Sequence, residues 1–152
     1  MSKEFLVLLT ASLPISELRG AIPLGLGLNI PFLKTFILSI VGNFLPVIPL
    51  LYLLKPLHRW AQKWSLTKRF FEWLFRRTYR KAELVEKYEC WGLLILVAIP
   101  LPFTGAYTGC VAASLFGISP KKASLYIFMG IVIAGIVVSI FSLGIYRITH
   151  LI

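Results

Sequence analysis

Two charged residues, Glu17 and Arg19, stand in the middle of the apolar run FLVLLTASLPISELRGAIPLGLGL at 5–28, and no other apolar block carries a charge at its centre. An ionisable side chain at such a position costs several kcal/mol unless it is paired, so it marks a functional site by default. Arg19 can receive an anionic headgroup. Glu17 can take and release a proton, because burial and neighbouring charge move a carboxyl's pKa. A purely structural alternative is an internal Glu17–Arg19 pair, or pairing of each with backbone, that holds a turn in shape.

A second constellation, Pro100-Leu101-Pro102-Phe103-Thr104-Gly105-Ala106, has no charge but can offer dipoles. If Thr104 caps a returning helix, the amides near Gly105 and Ala106 form an anion site. Ser16 and Gly20 can do the same after the first break, while Tyr107 and Thr108 add hydroxyls. Close helix crossing is the alternative for Gly105 and Gly109. Soluble-type catalysis is not expected: there is no Asp, and His58 and His150 have no nearby partner pair. The chain therefore reads as a non-enzyme with no metal and no cofactor. Cys90 and Cys110 lack the spacing of a zinc or redox site and read as small packing residues.

The elements that hold these groups are membrane elements. Of 152 residues, 58% are apolar and 14% charged, and the mean hydropathy is +0.83, against about a quarter charged in a soluble domain. The net charge of +10 could suggest nucleic acid, but 10 of the 16 cations lie between Lys55 and Lys87, flanked by apolar blocks. That is the pattern of a cytoplasmic loop beside membrane spans, not of a nucleic-acid module. No signal-peptide cleavage pattern or lipidation motif is visible.

Four apolar blocks cover 5–28, 32–54, 91–118 and 123–148. The second and fourth have the length of bilayer spans, roughly 35 Å as helix. Asn29 with Pro31, and Ser119 with Pro120, read as cap-then-proline starts for them. Pro46 and Pro49 should kink the second. The first and third are interrupted at Pro14, Glu17, Arg19, Gly20 and Pro23, and at Pro100, Pro102, Thr104, Gly105 and Gly109. Each arm is about half a bilayer long, so each block can dip to the midplane and return. Leu13-Pro14 then Gly20-Ala21 answers Ile99-Pro100 then Gly105-Ala106. The expected fold is thus an all-α integral membrane domain: an inverted repeat of re-entrant helical hairpin plus transmembrane helix. Repeat 1 is 4–54, a basic connector 55–89, and repeat 2 is 90–149. With re-entrant hairpins, 12 cations fall on the connector's side and 3 (Lys3, Lys34, Arg147) on the other. With four full spans the counts are similar, so charge fixes the connector as cytoplasmic in both arrangements, and the broken centres favour re-entrance.

In the connector, Leu57, Trp60, Trp64, Phe71, Leu74 and Phe75 recur at spacings of three, four and seven, with Arg59, Lys63, Lys68, Arg69, Arg76 and Arg80 between them. This fits a cytoplasmic amphipathic helical segment lying on lipid headgroups, with a solvated basic linker as the alternative.

At Glu17-Leu18-Arg19-Gly20-Ala21-Ile22-Pro23, and again at Pro100 through Ala106, the chain resembles the small multidrug export proteins, a family similar in plan to the DedA (VTT-domain) superfamily. The resemblance extends over nearly the whole chain. It implies the inverted repeat of hairpin plus span, and for the superfamily ion-coupled translocation of lipids, including a polyprenyl-phosphate carrier. The positions it carries over are Glu17, Arg19, Gly20 and Pro23, then Pro100, Pro102, Thr104 and Gly105. The superfamily's second hairpin contains an arginine, whereas here that hairpin has no charge.

Together these features lead to a multi-pass transporter of a prokaryotic cytoplasmic (inner) membrane, with a midplane site where the hairpin tips meet. Translocation of an anionic lipid such as polyprenyl phosphate is the leading expectation. Arg19, Gly20, Thr104, Gly105, Ala106 and Tyr107 would bind substrate, Glu17 would couple protons, and Pro14, Pro23, Pro100 and Pro102 would break the hairpins. Proton-coupled export of lipophilic cationic drugs is the second expectation, and a non-transporting membrane scaffold the third. Partners are membrane lipids and the lipophilic substrate, not nucleic acid; a homodimer suits either transport function.

Overall fold

The structure, a computed structural model, describes residues 2–61, 88–100 and 104–151. Every regular element among them is an α-helix: α1 Lys3–Ser12, α2 Glu17–Gly27, α3 Phe32–Phe44, α4 Val47–Ala61, α5 Cys90–Ala98, α6 Ala106–Leu115 and α7 Pro120–Leu151. They cluster into two units, residues 1–46 with 131–152, and residues 47–130.

In the first unit α1 and α2 form an antiparallel hairpin. Leu13 ends α1 in an extended conformation (φ −82, ψ 137), which the following Pro14 favours by crowding the helical region. The open end is tied by Lys3 Nζ donating to Leu28 O at 3.2 Å and by an ion pair between Lys34 and Glu4. The hairpin therefore ends where it began, and α3 starts there. Val7, Ala11, Ala21 and Ile30 form its core. Glycine allows α1, α2 and α3 to close on one another: a Cβ at Gly42 would lie 2.6 Å from Leu8 O, and one at Gly25 would collide with the Thr35 side chain.

The second unit repeats this local plan. Ile99 ends α5 extended (φ −79, ψ 115) ahead of Pro100. A Cβ at Gly109 of α6 would come within 2.7 Å of Val97 on α5. Glu89 and Cys90 at the start of this hairpin and Phe116 to Ser119 at its end line one open groove of about 460 Å³ with Lys122. It too returns to its starting end. Trp91 and Tyr126 stack edge to face there, with ring centroids 5.6 Å apart.

Both hairpins also close in the same way. Leu28 caps α2, Asn29 takes a left-handed φ of 57, and Ile30 N donates back to Gly25 O at 3.0 Å. Phe116 caps α6, Gly117 has φ 67, and Ile118 N donates to Ala113 O at 2.9 Å. This is the Schellman helix ending, built twice.

Phe32–Leu54 and Pro120–Ile145 are long and apolar enough to cross a bilayer. The first is interrupted at Leu45-Pro46, between α3 and α4, as Pro46 dictates; Pro49 sits in the first turn of α4 and interrupts nothing. Pro120 opens α7 as expected. Pro31 corrects the paired reading: it is the cap residue before α3, and Asn29 terminates α2 instead of starting α3. The connector expected from residue 55 begins as a continuation of α4 to Ala61, and its residues 62–87 lie outside the described residues.

Candidate functional site

The first hairpin tip is built around the Leu13–Ser16 turn. Ile15 stands at its apex, 97% exposed. Ser16 Oγ donates to Thr10 O at 2.7 Å, stitching the start of α2 to the last turn of α1. Glu17 follows as the first residue of α2, buried, with a left-handed φ of 45 that a side-chain-bearing residue rarely adopts. Its amide still donates to Leu13 O at 3.0 Å. Arg19 is half-buried and lies in the favourable field of Glu17. Gly20 is a packing requirement at the same spot, since a Cβ there would sit 2.8 Å from Ser16 Cβ.

Pro23 is not a break. It lies inside α2, which runs on to Gly27. Its missing N–H removes only the intrahelical bond that would have ended on the Arg19 carbonyl, and packing of α2 on α1 and α3 keeps the helix continuous. Pro14, by contrast, does make the turn.

At the second tip, Thr104 Oγ1 donates to Ile99 O at 2.7 Å. This corrects the expectation that Thr104 caps the returning helix. Gly105, at φ 152, is the residue before α6 and supplies no side-chain cap. Ser16 likewise makes no capping bond to α2. Both hydroxyls instead bridge backward across their turns. Ala106 is fully buried at the start of α6, and Tyr107 and Thr108 are half-buried beside it. Pro100 follows the end of α5, and Pro102 lies outside the described residues. The predicted residues thus gather as two sets, Pro14 to Arg19 with Gly20 at one tip and Pro100 with Thr104 to Tyr107 at the other.

Sequence reasoning missed a polar face on α3. Thr35, Ser39 and Asn43 recur every fourth residue and are all buried. The i, i+4, i+8 spacing was the available signal, hidden among the large apolar residues of that span. Thr35 Oγ1 donates to Ile30 O at 3.4 Å.

Neither Cys90 nor Cys110 is in a disulfide, and Cys110 Sγ donates to Val47 O at 3.9 Å in a packed interior. No cluster of three or more His, Cys, Asp or Glu residues occurs among the described residues.

No curated protein and no solved structure matches the chain. The sequence model of the small multi-drug export protein family does match, over residues 17–137, a stretch that starts at Glu17 and holds both hairpin turns' site residues from there on. With its long apolar helices this makes it a membrane protein of a transporter family, and the chain belongs to the small multi-drug export protein family.

Proposed function

We propose that the chain translocates an anionic amphipathic lipid across a prokaryotic cytoplasmic membrane, with polyprenyl phosphate the first ligand to test. One observation carries this reading: a buried glutamate in a strained backbone conformation beside a half-buried arginine, at the tip of a helical hairpin. Arg19 binds the phosphate, Glu17 exchanges a proton with it bound or released, and the acyl chain stays in lipid. Gly20 shapes the tip. At the second hairpin's own tip, Gly105, Ala106 and Tyr107 at the start of α6 offer substrate-binding amides and a hydroxyl, and Thr104 fixes its turn.

Arms of 9 to 11 residues span roughly half a 30 Å bilayer core, which supports re-entrant hairpins in a multi-pass, inverted arrangement akin to the DedA plan. The Lys121-Lys122 pair and the stacked Trp91–Tyr126 rings suit the cytoplasmic interface, on the side of the basic connector. The chain acts as a transporter without enzymatic chemistry, alone or as a homodimer.

Thermal stabilisation of the purified protein tests this, because a bound ligand raises apparent stability by mass action. Polyprenyl phosphate should stabilise wild type and Glu17→Gln but not Arg19→Ala. The family's name speaks of multi-drug export, and a second reading in that direction is proton-coupled export of lipophilic cations. Stabilisation by a lipophilic cation that is lost in Glu17→Gln would replace the lipid reading with that one.

A further inference from the structure

The two hairpins end alike but are not closed alike. Leu28 and Phe116 are matching helix caps, and Lys34 and Lys122 each stand six residues beyond them. On the opposite arm, Lys3 and Glu89 each stand ten residues before the extended residue that ends the helix, Leu13 or Ile99. Glu4 and Cys90 each stand nine before it. In the first hairpin these positions shut the open end: the Lys3 ammonium donates to Leu28 O, and Glu4 pairs with Lys34. In the second, both partners have changed. A carboxylate has no proton to give a carbonyl, so Glu89 cannot repeat the Lys3 bond, and Cys90 offers Lys122 no carboxylate. Among the described residues, no ion pair joins Glu89 to Lys122.

The corner stands open instead, as the groove of about 460 Å³ walled by Glu89, Cys90, Phe116 and Lys122. That volume lies within the range of small-molecule sites, about 300–1,000 Å³. Relative to its counterpart, the corner lacks one ammonium and one anion. Glu89 and Lys122 are both exposed on its walls, so each can take the opposite charge from a ligand through a charge-assisted hydrogen bond. Position narrows the ligand further. Lys122 lies in the first turn of the bilayer-length helix Pro120–Ile145, which puts the groove at the level of lipid headgroups. Exposed Trp91 and Leu125 follow it on the side where that helix enters the bilayer, an apolar surface for acyl chains.

We propose that this groove seats the headgroup of a zwitterionic aminophospholipid, with its ammonium on Glu89, its phosphate on Lys122 and its acyl chains along Trp91 and Leu125. The lipid closes the second hairpin as Lys3 and Glu4 close the first. It is a resident lipid of the interface, not cargo, and its binding does not depend on the roles given to Glu17 and Arg19.

Thermal unfolding of the purified protein in detergent tests this, with dioctanoyl phosphatidylethanolamine as the probe. It should raise the unfolding midpoint of wild type by at least about 3 °C. Dioctanoyl phosphatidylglycerol has the phosphate without the ammonium, and soluble phosphoethanolamine has the headgroup without the chains. Each should give less than roughly half of that shift. An equal shift with phosphatidylglycerol would make the groove an anion site, and an equal shift with phosphoethanolamine a site for a soluble zwitterion; either overturns the proposal. Glu89→Gln should lose the preference for phosphatidylethanolamine over phosphatidylglycerol, and Lys122→Gln most of the phosphatidylethanolamine shift. Both positions are exposed, so these variants keep the fold. Glu89→Lys combined with Cys90→Glu rebuilds the first hairpin's contacts in the second. This double variant should unfold later than wild type without lipid and gain nothing from it. If phosphatidylethanolamine shifts the double variant or Glu89→Gln as much as wild type, the lipid sits elsewhere and the proposal falls.

Discussion

The Ser12 hydroxyl sits between two carbonyls, 2.9 Å from Leu8 O within its own helix and 2.8 Å from Gly42 O on α3. One proton is thus shared between local and tertiary partners, and the tertiary one pins the hairpin tip to α3. The contact exists because Gly42 lets the backbones approach, with Leu8 O where a Cβ would need to be. Gly42→Ala should cost about 1–3 kcal/mol, the range for overpacking against atoms that cannot move aside. The detergent-solubilised protein would show this as a lowered unfolding midpoint by circular dichroism; an unchanged midpoint would mean that α1 and α3 are not held this close.

Gly25 and Thr35 form a lock of a different kind, since the obstacle to a Cβ is a side chain. Gly25→Ala should destabilise by about 1–3 kcal/mol, and adding Thr35→Ala should recover most of that loss. A double-mutant cycle measures the coupling, expected at about 1 kcal/mol or more for residues in contact. Additive single effects would place α2 and α3 farther apart.

Glu17 combines a left-handed backbone with a carboxylate near Arg19. Glu17→Ala loses the charge and keeps the backbone strain, whereas Glu17→Gly loses both. The glycine variant should therefore unfold later than the alanine variant by about 1–2 kcal/mol. If instead alanine is the more stable, Glu17 does not start α2 in this conformation. Proton-coupled flux should be absent in both.

The Thr104 hydroxyl and the Ser16 hydroxyl do equivalent jobs, each bonded to a carbonyl of the preceding arm. Thr104→Val should lower stability by about 1 kcal/mol and Thr104→Ser by much less. Ser16→Ala should behave like Thr104→Val. Equal effects of valine and serine at position 104 would assign its role to shape rather than to the hydrogen bond.

Much of the helical plan was legible because it depends on local backbone chemistry. Pre-proline crowding biases Leu13 and Ile99 toward the extended conformation that both adopt, so both turns could be read from Pro14 and Pro100. The family follows from the motifs that start at Glu17. What escaped depends on tertiary contact. Pro23 looks like a breaker by type, yet α2 passes through it because both flanks are packed. Thr104 looks like a cap, but Gly105 lies between it and α6 and its hydroxyl turns back to Ile99. Thr35, Ser39 and Asn43 are ordinary span residues until burial is known.

The paired helix endings have a consequence for how the two halves of this chain can be compared. Leu28-Asn29-Ile30 and Phe116-Gly117-Ile118 share one letter in three but take the same backbone path. What the halves hold in common is a rhythm of pre-proline stops and left-handed residues, which alphabet-based comparison scores poorly. An ancestral duplication in such a chain would leave its trace in torsion angles long after the letters had diverged. A chimera that exchanges Asn29 and Gly117 asks whether that trace still suffices to write the ending.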